Sequence, residues 1–416
     1  MRIADLYFLV LEDQQPQRAA VGRMLADLGA KHVYEAADGD SALAILRDRD
    51  QPVDVIVNAL DMPGMDGMEF IRHVGSENLA ISVILASRLD RPLVAAVETM
   101  TAAYGVKMLG TIAKPVTPEK LEAAFLPQCF VKPPRTESRP LSLEPMGEIR
   151  PTFPLAEIVE GLANDQFEPF FQPKVEMASG RIVGAKALAR WRHPGMGKMD
   201  PYAFLAPLEE SGRIDELTWL MLKKSAAACR AWRDAELDAT VSVRLAFGSL
   251  RDAGLADRVT ELVFGQGLDP AHMVLEITGP GSVIKSGNAL ENLARLRLRG
   301  FGLSVEDCGT GHSSIHQLRR IAFTEVKVDR DFAMAASSQE DSKGLFLAML
   351  SAATSLGIAS VAEGVETQAD WDLIQALGCD IAQGYYVAAP MDADAYFQWA
   401  RGRSHWTAAH PSEYHA

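Results

Sequence analysis

The chain is short of cysteine, short of positive charge and without a long apolar run, and each shortage removes a class of function. Only four cysteines, Cys129, Cys229, Cys308 and Cys379, occur in 416 residues, and none forms a C-x-x-C pair. A disulfide framework or a structural zinc would need closer, paired spacing, so a reducing compartment, the cytoplasm, is expected. Lys and Arg number 41 against 55 Asp and Glu, a net charge of −14. Broad nucleic-acid binding draws on a positive surface that displaces counterions, and no nucleic-acid partner is expected. A local basic pocket for a small phosphate ligand remains compatible with that balance. The apolar run Leu6–Leu11 is cut off by Glu12-Asp13. It falls far below the ~18 residues of a membrane span and lacks the form of a signal peptide.

Hydrophobic residues at 48% and charged residues at 23% match an ordinary globular protein. The sharpest break in composition is 131–151, which carries five prolines and reads as a semi-rigid linker. The expected organisation is a first domain over 1–130, the linker, a second domain over 152–403 and a polar tail over 404–416. In the tail His405, His410 and His415 lie five apart, so a helix would not bring them to one face.

In the first domain short apolar runs, Leu6–Leu11, Asp54–Ala59, Val83–Ala86 and Gly110–Ala113, alternate with amphipathic stretches such as Gln17–Leu28. This alternation predicts a doubly wound parallel sheet, flavodoxin-like, with function at the carboxyl ends of the strands. Those ends carry Glu12-Asp13, Ala59 to Asp61, Ser87 and Lys114-Pro115. Together with the run Asp61-Met62-Pro63-Gly64-Met65-Asp66-Gly67, they resemble the receiver domain of bacterial response regulators over roughly residues 3–127. The resemblance implies an acidic pair that holds Mg²⁺, a phospho-acceptor Asp, and a Ser and Lys that read the new charge. The acceptor position is Ala59, which has no oxygen to phosphorylate. Asp61 stands about 6–7 Å further along at strand rise, a poor substitute for a reaction that needs tight in-line positioning. A degenerate receiver is expected, with Glu12, Asp13 and Lys114 left as an ion-paired remnant.

The second domain repeats strand and helix. Its predicted strands are Pro169–Val175, Ile182–Leu188, Thr240–Leu245, Met273–Ile277, Gly302–Val305, Val326–Val328, Ile358–Ala362 and Ile381–Tyr386. Eight strands in about 250 residues suggest a (β/α)8, TIM-barrel-like fold. Charge gathers near the strand ends at Lys186, Arg244, Glu276, Glu306-Asp307, Lys327 and Glu363. The segments Phe171-Gln172-Pro173, Lys186-Ala187-Leu188-Ala189-Arg190, Leu275-Glu276-Ile277-Thr278, Glu306-Asp307-Cys308-Gly309-Thr310-Gly311 and Ala382-Gln383-Gly384-Tyr385 resemble the EAL domain. That family contains the phosphodiesterases that cleave cyclic di-GMP.

An active member, as the resemblance implies, binds two divalent metals through a Glu, an Asn, a second Glu and an acidic pair. The first Glu is Lys186 here and the Asn is Arg244; Glu276, Glu306 and Asp307 remain. These five positions therefore carry one net negative charge instead of four. Lysine and arginine cannot ligate a metal while protonated, so no metal and no other cofactor is expected. The two cations are expected in the metal space, paired with Glu276, Glu306 and Asp307. A supporting family Glu is Gly279. Lys327 and Glu363 match the residues that position and activate water and are expected to survive as remnants. Gln172, Arg190, Lys186, Arg244, Asp307 and Gln383 are the expected ligand contacts. The resulting expectation is a non-catalytic regulator, a pseudoenzyme, acting through contacts with signalling proteins. Cyclic di-GMP and a second copy of the chain are further candidate partners. A weakly active phosphodiesterase is the alternative.

Overall fold

The computed structural model describes residues 3–48, 51–77, 79, 81–125, 153–277, 286–306, 321–328 and 340–403. The linker expected at 131–151 and the tail expected at 404–416 lie outside them. Two compact units are present, each built on its own sheet.

In the first unit the strands are β1 (Tyr7–Leu11), β2 (His32–Ala36), β3 (Val55–Ala59), β4 (Ser82–Ser87) and β5 (Lys107–Ala113), ordered β2-β1-β3-β4-β5. All pairings are parallel. Helices 15–27, 39–47, 67–76 and 91–103 provide the crossovers such a sheet requires, and helix 118–125 follows the last strand. Three of them start at an aspartate, Asp38, Asp66 or Asp90, whose carboxylate accepts from a backbone N–H of the first turn. The central strands β3 and β4 are buried almost throughout, and Phe8, Val10, Val57, Ile84 and Ile112 share one core. The sequence reading missed β2. It is an edge strand, half-exposed over most of its length, and lacks the apolar run by which buried strands are recognised.

Among the described residues the second unit has nine strands. They are β6 (Phe167–Glu176), β7 (Ile182–His193), β8 (Gly197–Met199), β9 (Thr240–Leu245), β10 (Met273–Ile277), β11 (Gly302–Val305), β12 (Glu325–Val328), β13 (Ala359–Ala362) and β14 (Ile381–Gln383). Their order is β6-β14-β13-β12-β11-β10-β9-β7-β8, and β6 also pairs with β7, which closes eight of them into a barrel. From β7 round to β14 every neighbour is parallel, whereas β6 is antiparallel to both of its neighbours. The reversal follows from chain length. Only residues 177–181 join β6 to β7, and a parallel pair needs a crossover of a dozen or more. Gly184 lets β7 and β9 approach closely, because a Cβ there would run into the backbone of Thr240. β8 is a short hairpin arm on β7.

Aromatic side chains pack outside the wall: Phe167 stacks on Trp191 at 5.3 Å, and Phe171 meets Trp232 edge-on at 4.7 Å. Both pairings hold the reversed strand in place. No described helix is long and apolar enough to cross a membrane.

Candidate functional site

Inside the barrel, the polar side chains fall into two layers. The deeper layer is Lys174 of β6, whose Nζ donates to both oxygens of Glu325 at 2.5 and 2.7 Å and to Ser242 Oγ at 3.0 Å. Lys174 is 1% exposed, so this is a buried, fully donated ammonium. Nothing in the residue pattern signals it, since a Lys and a Glu far apart in the chain show nothing of their pairing.

The outer layer gathers the expected site residues. Glu276 of β10 and Lys327 of β12 are completely buried, and Glu306 and Glu363 follow β11 and β13. The Lys186 ammonium lies 2.6 Å from Glu306 Oε1, 3.0 Å from Glu363 Oε1 and 3.3 Å from Glu276 Oε2. The Lys327 ammonium donates to Glu276 Oε1 and, at 2.9 Å, to Glu363 Oε1, with Glu306 at 3.7 Å. Two ammonium groups thus sit among three carboxylates, leaving one net negative charge.

That crowding sets the protonation states. Burial pulls the Lys186 and Lys327 ammoniums down, but the surrounding carboxylates outweigh it; Lys186 stands well above the usual lysine range and Lys327 above it. Burial likewise pushes the carboxyls up. In Glu363 the two lysines reverse this and bring it to about 2, and they hold Glu276 lower still. In Glu306 burial wins, helped by the negative charge of Glu276 and Glu363, and its carboxyl is raised.

Arg244 corrects the sequence reading. It stands beside Glu276 in the β9–β10 register, yet its guanidinium turns away from the carboxylates and lies 3.2 Å from Glu209. Both side chains are nearly half exposed. Lys186 and Lys327 already offset most of the carboxylate charge, so a third cation would gain little for losing its water. Lys186, Leu188, Glu209, Arg244 and Glu306 line one cavity of about 800 Å³ at the barrel mouth. Glu209 was not foreseen.

The remaining expected contacts are distributed around the mouth. Arg190 is buried, 3.1 Å from Asp200, and donates to the Ala189 carbonyl. Gln172 and Gln383 form a buried amide pair at 2.9 Å, in which Gln383 Oε1 has no hydrogen-bond partner among the described residues. Asp307, Gly279 and Cys308 lie outside the described residues.

A pair of divalent cations would need several free carboxylate oxygens facing a shared space. Here Glu276 Oε1 is taken by Lys327, Glu306 Oε1 by Lys186, and Glu363 Oε1 by both. As described, these three carboxylates do not fit two dications, because the Lys186 and Lys327 ammoniums engage an oxygen of each.

In the first unit the strand ends bring Glu12, Ser87, Ala59 and Lys114 together. Lys114 Nζ lies 2.5 Å from Glu12 Oε2, and the Lys114 amide bonds to the Ser87 carbonyl. Ala59 is buried opposite Ala86, Asp13 is half-buried, and Asp61 is exposed.

Residues 155–390 match the EAL domain family and residues 8–126 the response regulator receiver domain. The chain is 34% identical over 398 residues to the cyclic di-GMP phosphodiesterase RocR of Pseudomonas aeruginosa, covering 96% of this chain and 99% of that protein. It is 32% identical over 249 residues to the cyclic di-GMP phosphodiesterase NbdA of the same organism, 59% of this chain but only 31% of the relative. Among solved structures, the MucR phosphodiesterase in complex with c-di-GMP aligns with a TM-score of 0.55 at 32% identity, over 58% of this chain and 98% of that one. Both curated relatives are named as cyclic di-GMP phosphodiesterases. Their names run against a chain without catalytic activity, and the expectation of a non-catalytic pseudoenzyme is withdrawn on that finding.

Proposed function

Since the chain belongs to the EAL domain family and carries a response regulator receiver domain ahead of it, we propose that it is a cyclic di-GMP phosphodiesterase of low turnover. The observation that carries this reading is the match to a phosphodiesterase of the same two-domain length, 99% covered at 34% identity. The described site supports it with a cavity of about 800 Å³ that opens on Lys186 and Arg244.

The reaction adds water across one phosphodiester: the water oxygen bonds to phosphorus, the P–O bond to the sugar breaks, and the leaving oxygen takes a proton. An anionic diester approaching the mouth meets the Lys186 ammonium first, with Lys327 behind it, and both stay protonated throughout the neutral range. Glu306 is the better base for the water, because its carboxyl is raised while Glu276 and Glu363 are held low. Glu363 orients both ammoniums by accepting from each. Gln172, Arg190, Arg244, Asp307 and Gln383 are assigned to ligand contact. No step is routed through a metal, since Lys186 fills that space, and slow turnover follows from replacing dications by ammonium charge.

The receiver is assigned an input other than phosphorylation at position 59, because Ala59 offers no acceptor and Lys114 is engaged by Glu12. Contacts with other signalling proteins, or with a second copy of the chain, are the assigned route.

The test is chromatography of cyclic di-GMP incubated with the purified chain, beside a Glu363→Ala control purified identically. Linear dinucleotide accumulating over several turnovers, and absent from the control, is expected. Saturable binding with no product beyond the control would overturn the hydrolytic reading.

A further inference from the structure

A guanidinium held on the wall of an anion-sized cavity by one exposed contact is poised to change partners. Arg244 leaves β9 beside Glu276 and bypasses the buried carboxylates, and among the described residues its one ion pair is with Glu209 at 3.2 Å. That pair is monodentate, with the two side chains 44% and 48% exposed, so it contributes little to stability. Both partners line the cavity that Lys186 and Glu306 line from another side.

We propose that Arg244 is a phosphate-docking residue and that Glu209 is its resting partner, displaced when an anionic phosphodiester enters. This rests on the reading of the cavity as the cyclic di-GMP site. The guanidinium offers a planar fork of donors that matches two non-bridging phosphate oxygens at once, where Glu209 engages only one nitrogen. Bound nucleotide also excludes water from the cavity, which strengthens the new pair relative to the exposed one. Glu209 then acts as a competitor. It holds the guanidinium off the ligand in the empty site and lowers affinity by that amount. It also rejects anions too weak to displace it, so the pair sets a threshold as well as a contact.

Calorimetric titration of the full chain with cyclic di-GMP, at two salt concentrations, separates the possibilities. Arg244→Gln should weaken binding at least tenfold and flatten its dependence on salt. Glu209→Gln should tighten binding several-fold, since the competitor is gone while the arginine remains. Arg244→Lys should recover only part of the loss, because the fork is missing. Melting temperatures within a few degrees of the parent check that each variant is folded. If the parent binds and Arg244→Gln binds equally well, the docking role is wrong while the proposed function stands. If Glu209→Gln weakens binding as Arg244→Gln does, the pair is structural and the competitor role fails. If the parent does not bind at all, the proposed function itself falls, and this inference with it.

Discussion

Lys186 and Lys327 donate to the same oxygen, Glu363 Oε1, at 3.0 and 2.9 Å. Two like charges tolerate that proximity only because three carboxylates surround them. The cluster is therefore a single unit whose members cannot be removed one at a time without leaving charge behind.

Lys186→Ala should for that reason destabilise the barrel strongly. Its side chain is 14% exposed and touches three carboxylates, and loss of one partner from a buried pair costs about 3–5 kcal/mol. Arg244→Ala should cost about 0–1 kcal/mol, as expected of an exposed pair. Urea denaturation of both variants reads the contrast. Equal losses would mean that Lys186 is solvated in solution.

Introducing a carboxylate at the same place should make the cluster depend on metal. Lys186→Glu changes its net charge from −1 to −3 and empties the space the ammonium fills. The variant should melt well below the parent in chelator and recover much of the difference with Mn²⁺ or Mg²⁺. A melting temperature equal to that of the parent in chelator, unmoved by metal, would show that Lys186 does not occupy the place of a cation.

Acid should loosen the barrel before neutral pH does. Glu363 is held at about 2 and Glu276 lower, both beneath their unfolded value of about 4.3. Their stabilisation is present above that unfolded value and is lost as pH falls from there through the folded ones. Glu306 is raised and works in the opposite direction, losing stability as pH rises through its folded value. Melting temperature should therefore fall between about pH 4.3 and 2, and Glu363→Gln should blunt the fall. An identical acid profile in parent and variant would contradict the assignment.

The deep pair offers a cleaner test of buried charge. Lys174→Met leaves Glu325 with neither of its two donated bonds and should cost about 3–5 kcal/mol. Lys174→Met with Glu325→Leu should recover most of it, because the uncompensated charge is gone. A double variant no better than the single one would point to packing rather than charge.

In the receiver, acetyl phosphate should not label the chain, and Ala59→Asp should permit labelling, because Glu12, Asp13, Ser87 and Lys114 remain at the strand ends. Intact-mass measurement decides it. A stoichiometric acid-labile phosphate on Asp61 in the parent would defeat the expectation.

Much of the fold could be read in advance, and the reasons are local. Thr240–Leu245, Met273–Ile277 and Gly302–Val305 are strands at the predicted bounds, because each is a short apolar run ended by polar or turn residues. β2 escaped because an edge strand needs no apolar run. The reversal of β6 was implicit in the few residues before β7 but is not a matter of composition. Lys186, Glu276, Glu306, Lys327 and Glu363, named from their short motifs, gather in one ion-paired cluster, since those motifs fix their strands. What failed was direction: sequence gives the strand on which Arg244 stands, not whether a long side chain reaches in to Glu276 or out to Glu209. The step from replaced charges to lost activity failed too, because residue types at two positions do not measure a rate.

The first strand of the barrel is bonded to the last, with Val175 opposite Ala382. During synthesis β6 can pair with β7 almost at once, while its other edge waits for β14. At about 5–20 residues per second that wait lasts roughly 10–40 s on the ribosome. Throughout it a partly built wall presents an open edge to any other nascent strand. The receiver, complete before the barrel begins, can fold ahead of this interval, so misassembly during expression should be concentrated in the barrel.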